Sequence, residues 1–231
     1  MNLLSITMSI IAGILAGCSA VTVFNRLPVR WLCDYKEEPR EERRPRIRNC
    51  PWKAIFSVGF SLSAISLSAC AWQNALITII VFWLLLEISI ADVKYMIIPD
   101  QFTILLAVAS FGYLPYHSDL HAPFFGALIG GGCMFAIGVA GRFIYKKEAL
   151  GFGDVKLFAA IGLIAGPVGV SVLLMTSSLL SCTVFVIALT LKKIKRTDVL
   201  PLGPFIAFST AIYLAYDEQF YFFQELFKST I

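Results

Sequence analysis

Residues 75–92 read ALITIIVFWLLLEISIAD, an apolar run that ends on an acid; the chain then turns through VKYMIIPD, residues 93–100. A bilayer core takes about 20 apolar residues per helix, so this run is long enough to cross it. Working outward, similar runs occupy 3–24, 54–71, 101–116, 122–145, 154–166, 168–191 and 203–217. Of all residues 58% are hydrophobic and 15% charged, against about 25% charged in a soluble domain. The expectation is an all-α polytopic transmembrane helix bundle of about eight spans. The 231 residues suffice for one such unit without a separate soluble domain of any size.

Charge sets the orientation. The first run carries no Lys or Arg before Arg26, unlike a signal peptide with a basic head. It reads as a retained helix with its N-terminus outside. The inside loops are then 25–53, 93–100, 142–153 and 192–202. With Lys156 at the inner end of the sixth span, they hold all of the 19 basic residues except Lys228, as the positive-inside rule requires. A missed helix would flip every later loop, so the asymmetry supports the count as well. The net charge of +4 calls for no nucleic-acid partner. The partner implied is the lipid bilayer.

The loop 25–53 is the only sizeable polar segment, mixing nine basic residues with Asp34, Glu37, Glu38, Glu41 and Glu42. It reads either as a solvated loop near lipid headgroups or as a docking surface for a polar peptide. Residues 1–71 form a helix pair around this loop, and 72–231 form a six-helix core. Gly130, Gly131 and Gly132 suit close helix approach. No internal repeat is evident, which disfavours an inverted-repeat transporter.

Acids inside spans are rare and usually functional. Those in or at the edge of the runs are Glu87, Asp92, Asp154 and Asp217. Asp92 closes the third run and Asp154 opens the sixth, so two helices present two carboxyls at the cytoplasmic level. Such a pair shares a proton. One member takes a proton from water while the other polarises a scissile carbonyl, with no metal required. Gly151 and Gly153 lack Cβ, so backbone can approach closely there or adopt positive φ. On spacing alone other readings stay open. Asp154 could be a helix N-cap, and Asp92 could pair with Lys94 or Lys156. The sixth run, twelve residues before Gly166-Pro167, either continues through a kink or begins below the membrane surface.

Further residues carry a resemblance. Gly151-Phe-Gly-Asp154 with Val155-Lys156-Leu157 after it and Glu148 before it is similar to the GxGD signature of the bacterial type IV prepilin peptidases. Asp92 followed by Ile98-Pro99-Asp100 resembles that family's first catalytic aspartate and its trailing motif. Leu200-Pro-Leu-Gly-Pro-Phe205 and the segment from Gly17 to Asn25-Arg26-Leu27-Pro28 are similar to a late and an opening motif. These matches run in family order from residue 17 to about 210.

The resemblance implies a multi-pass inner-membrane aspartic endopeptidase with its site on the cytoplasmic side. Asp92 and Asp154 would be catalytic, and Gly151, Gly153, Glu148, Lys156 and Pro99 would support the motifs. Its substrates would be type IV prepilins or type II secretion pseudopilins, cut after a Gly between a short basic leader and an apolar helix. Proteolysis would use no cofactor. Family members also commonly methylate the new N-terminus with S-adenosylmethionine, and the loop 25–53 is the candidate region for that step. There the chain departs from the pattern. Many members carry two C-x-x-C pairs with zinc spacing, but this loop has only Cys33 and Cys50, at most a weak metal site. Cys18-Ser-Ala-Val-Thr-Val-Phe24 also replaces a Ser-Phe-rich stretch. The competing classes are a small transporter using the two acids for ions and a non-catalytic scaffold of a secretion or pilus apparatus.

Overall fold

The computed structural model describes residues 3–33, 47–67, 72–117, 119–146, 150–195 and 200–215. The acidic part of the polar loop, Glu148 and Asp217 lie outside them. The elements among the described residues are all helical: α1 Leu3–Phe24, α2 Asn49–Ser66, α3 Trp72–Tyr95, α4 Asp100–Ala109, α5 Ala122–Tyr145, α6 Phe152–Thr190 and α7 Gly203–Ala215. A 3₁₀ segment, Ser110–Tyr116, extends α4. By length and composition α1, α3, α5 and α6 are each able to cross a membrane, and α7 is a shorter apolar helix.

Small residues dictate the pairing of helices. A Cβ on Gly13 or Gly17 would run into Ser61 or Ser57 of α2, so α1 and α2 touch backbone to backbone. Gly126 of α5 and Gly162 of α6 meet in the same way. Of the three consecutive glycines, Gly130 and Gly131 face α6, against Phe158 and Ala159, while Gly132 meets nothing within 4 Å. Without a hydrophobic drive between helices in lipid, such close contacts carry the association. The exposed Phe124, Leu128 and Phe135 of α5 are what a lipid-facing surface looks like.

Helix α3 sits at the centre. Val81, Leu84, Leu85, Ile88 and Ala91 are buried, and the helix touches α1, α2, α4 and α7. Trp83 ties two of these neighbours together. Its Nε1–H donates to Ser19 Oγ of α1 at 3.1 Å, and its ring lies edge-on to Phe102 of α4.

The sixth and seventh apolar runs form one helix-bonded element, α6, broken at Gly166 (φ 69°, ψ −176°) ahead of Pro167. It is not a straight rod. A Cβ on Gly130 would lie 2.5 Å from the Phe158 carbonyl oxygen and 2.8 Å from Val170 Cγ2. Twelve residues of straight helix separate their ends by about 18 Å, so the arms before and after Gly166 fold back toward each other. The positive φ at Gly166 is one that a side chain would strain.

Pro167 has no N–H to give the Leu163 carbonyl, and the break at Gly166 also frees the Ile164 carbonyl. The His117 ring packs on Gly166 and donates to the Ile164 and Leu163 carbonyls. Its Nε2 is buried without a hydrogen-bond partner. Burial, the largest influence, pulls the imidazole below its ordinary range, and the two carbonyls offset part of that shift. The unfolded imidazole binds a proton at about pH 6.5, where the folded one resists it. This contribution is complete above that pH and is lost as pH falls through the lowered folded value. Thermal unfolding in micelles is expected to show the wild type losing stability relative to His117→Gln below about pH 6.5.

Candidate active site

Asp92 lies in the last turn of α3, 6% exposed. The Gly203 N–H donates to its Oδ2 at 2.7 Å. Gly203 is the first residue of α7, where backbone N–H groups lack partners inside the helix and the dipole favours negative charge. A Cβ on Gly203 would sit 2.7 Å from that same oxygen and 3.1 Å from Asp92 Cβ. Only glycine lets the backbone come this close.

Asp154 lies in the first turn of α6 and is half-buried. The N-cap position belongs to Gly151, in an extended conformation (φ −70°, ψ 139°). Asp154 is therefore the third helical residue rather than the cap, and its N–H bonds the Gly151 carbonyl at 3.1 Å. A Cβ on its neighbour Gly153 would meet Ile98, six residues past Asp92, so the start of α6 lies against the turn that follows α3. The end of α3 and the starts of α6 and α7 thus converge.

The flanking motif residues build this convergence. After α3 the chain reverses through Met96, which has positive φ and bonds the Asp92 carbonyl at 2.9 Å. Pro99 is the extended N-cap of α4, and its carbonyl accepts the Thr103 N–H and hydroxyl, each at 3.2 Å. A Cβ on Gly153 would lie 2.9 Å from Ile98 Cβ. The missing side chain there admits the chain's own turn, and neither Gly151 nor Gly153 uses positive φ. Gly151 is exposed, 3.4 Å (from a Cβ built on it) to Asp154 Oδ2.

Lys156 does not pair with Asp92. Its Nζ donates to both Asp100 oxygens at 2.8 Å and lies 5.2 Å from the Phe152 ring centroid. This pair ties the start of α4 to the start of α6. With side chains 34% and 26% exposed, it is screened by solvent. A double-mutant cycle with Lys156→Met and Asp100→Asn is expected to give a coupling of about 0.5–1 kcal/mol in thermal unfolding.

Glu87 is fully buried and neither of its oxygens meets a hydrogen-bond partner. Five residues before Asp92 puts it about 140° away around the helix, so it stands apart from the pair. Among the described residues no group of three or more His, Cys, Asp or Glu is placed to hold a metal. Cys33 Sγ donates to the Val29 carbonyl at 3.2 Å, and Cys50 is exposed at the start of α2. Asn25 spends both side-chain atoms on the Ile47 backbone, at 2.7 and 3.0 Å. Arg26, Arg30, Arg48 and Asn49 are exposed on the described flanks of the polar loop, the part of the chain the resemblance links to S-adenosylmethionine.

The contribution of Gly203 was not legible as a role in the sequence. The Gly203-Pro204 pair marks a helix start, but nothing local says that its N–H meets an acid 111 positions earlier.

The model of the Type IV leader peptidase family matches residues 79–188, a range that includes both Asp92 and Asp154. Leader peptidase HopD of Salmonella typhimurium is 35% identical over 128 residues, 53% of this chain and 81% of that protein. The chain belongs to the type IV leader peptidase family. Among other leader peptidases, the Prepilin leader peptidase/N-methyltransferase of Aeromonas hydrophila is 26% identical over 206 residues, 86% of this chain and 69% of that protein. Its Pseudomonas aeruginosa namesake is 28% identical over 152 residues, 64% of this chain and 51% of that protein. The matched region thus spans about two thirds of the first relative and half of the second. No solved structure matches the chain.

Proposed function

We propose that this protein is a membrane-embedded aspartic endopeptidase that removes the leader of type IV prepilins or type II secretion pseudopilins after a Gly, with Asp92 and Asp154 as the catalytic pair. The observation that carries the reading is geometric: Gly203 at the start of α7 donates its N–H to Asp92 at the end of α3, and Gly153, beside Asp154 at the start of α6, packs on Ile98 in the turn after α3. Family membership supports the substrate class.

The mechanism follows from the geometry. Two neighbouring carboxyls hold one proton between them. The ionised member takes a proton from a water as its oxygen attacks the scissile carbonyl, and the protonated member donates a hydrogen bond to the carbonyl oxygen. Collapse of the tetrahedral intermediate breaks the C–N bond, the leaving nitrogen taking a proton. The products are a leader ending in a free carboxyl and a chain with a new amine. Holding Asp92 in place through Gly203 lowers the reorganisation needed in the reaction. Gly151, exposed beside Asp154, leaves room for an extended substrate backbone.

The domain reading extends this proposal. Residues 1–71 supply a helix pair and a loop of mixed charge whose five acids suit a basic leader, and 72–231 supply the peptidase core. The bend at Gly166 and the placement of positive charge support about eight spans, with the N-terminus outside and the site at the cytoplasmic face of the inner membrane. Methylation of the new N-terminus with S-adenosylmethionine is the second activity that relatives' names carry. It rests on those names alone.

One assay tests the proposal. The purified protein is incubated in micelles with a prepilin, with and without S-adenosylmethionine, and product masses are read. Cleavage after Gly is expected. An uncut substrate overturns the peptidase reading, and a product heavier by one methyl group establishes the second activity.

A further inference from the structure

Between α2, α3 and α7 lies an apolar groove of about 430 Å³, with walls that include Phe56, Gly59, Leu86, Ser89, Pro204 and Phe208. Helix α2 gives its opposite face to α1, where Ser57 and Ser61 meet Gly17 and Gly13. Its Gly59 side is open, and a Cβ there would meet nothing within 4 Å. The hydroxyl of Ser89 is already spent on the Leu85 carbonyl at 2.7 Å. The groove therefore asks for an apolar occupant.

Its position says which one. Ser89 stands three residues before Asp92 on α3, and Pro204 follows Gly203, the residue whose N–H holds Asp92. Both walls run toward Asp92. From Ser89 back to Phe82, another wall residue, the groove extends about 10 Å along α3. That length matches about seven residues of a helix lying alongside. A hydrocarbon chain gains nothing by ending at carboxyl groups, whereas a peptide to be cut there must.

We propose that this groove receives the apolar helix that follows the scissile bond of the substrate, entering sideways from the lipid and holding that bond at Asp92. The proposal rests on the peptidase reading and adds a specificity surface to it. Hydrophobic anchors in such a groove recur along a helix at i, i+3, i+4 and i+7. Recognition is thus by apolar shape, and the junction is located by where the apolar segment begins.

The test uses a synthetic peptide with a basic leader, a Gly–Phe junction and an apolar helix, in proteoliposomes. Benzophenone groups are placed at Gly59 or Phe208 in the Asp154→Asn background, with exposed Leu128 of α5 as the control position. Light is expected to attach the peptide at 59 and 208 and not at 128. In the active protein, Gly59→Trp fills open space and is expected to raise KM by about tenfold or more, while Gly59→Ala stays near wild type. Adducts with lipid only, equal peptide adducts at all three positions, or an unchanged KM in a folded Gly59→Trp protein overturn the groove assignment. Failure of the wild type to cut the peptide overturns the peptidase reading instead, so the two are distinguishable.

Discussion

Asp154→Asn and Asp92→Asn are each expected to reduce prepilin cleavage by about a thousandfold or more, the range expected when a general acid or base is removed. Asparagine keeps the shape and hydrogen-bonding reach of the side chain but can neither take nor hold the shared proton. Asp154 is half-buried at the start of α6, with its amide bonded to Gly151, so the helix start survives the change. Asp92→Asn still accepts the Gly203 N–H through its amide oxygen. Both variants are therefore expected to insert and to unfold near the wild-type temperature, which separates a chemical loss from a structural one. Quantitative mass spectrometry of leader release reads the effect. Full processing by either variant would remove that residue from the chemistry, and would favour a scaffold role for the fold.

Gly203→Ala is expected to lower kcat by about 10- to 100-fold with a smaller effect on KM. The added methyl would stand 2.7 Å from Asp92 Oδ2, inside van der Waals contact, so either the carboxylate swings away or the start of α7 retreats. Either movement breaks the 2.7 Å hydrogen bond from Gly203 N–H. A hydrogen bond to a charged group contributes about 1.5–3 kcal/mol, and each 1.4 kcal/mol is about a tenfold change in rate. A residue that acts by positioning Asp92 through its N–H is marked by a kcat-weighted effect. An equal rise in KM with kcat unchanged would assign it to substrate binding instead.

Family membership and the site geometry bear on different steps. Relatives limit the class of substrate. The convergence of α3, α6 and α7 supplies the reason these residues can act together. The ion pair between Lys156 and Asp100 and the fit of Ile98 onto Gly153 belong to that convergence. They bring the turn after α3 against the start of α6, the two helix ends that carry Asp92 and Asp154.

The sequence by itself determined the helical class, the order of the apolar runs and the two acids at run ends. Those follow from composition and one-dimensional spacing, because hydrocarbon admits only backbone that satisfies its own hydrogen bonds and an acid in or beside it stands out. It also marked the break at Gly166-Pro167, since Pro removes a donor and Gly accepts positive φ. Local pattern does not encode which helix faces which. Only the tertiary structure decided that Gly203, 111 positions from Asp92, would hold that acid, that Lys156 would choose Asp100, and that Gly153 would admit Ile98. Only packing left the side of α2 at Gly59 open. Each depends on small residues letting distant backbones touch, a property of the assembled bundle rather than of any stretch of chain.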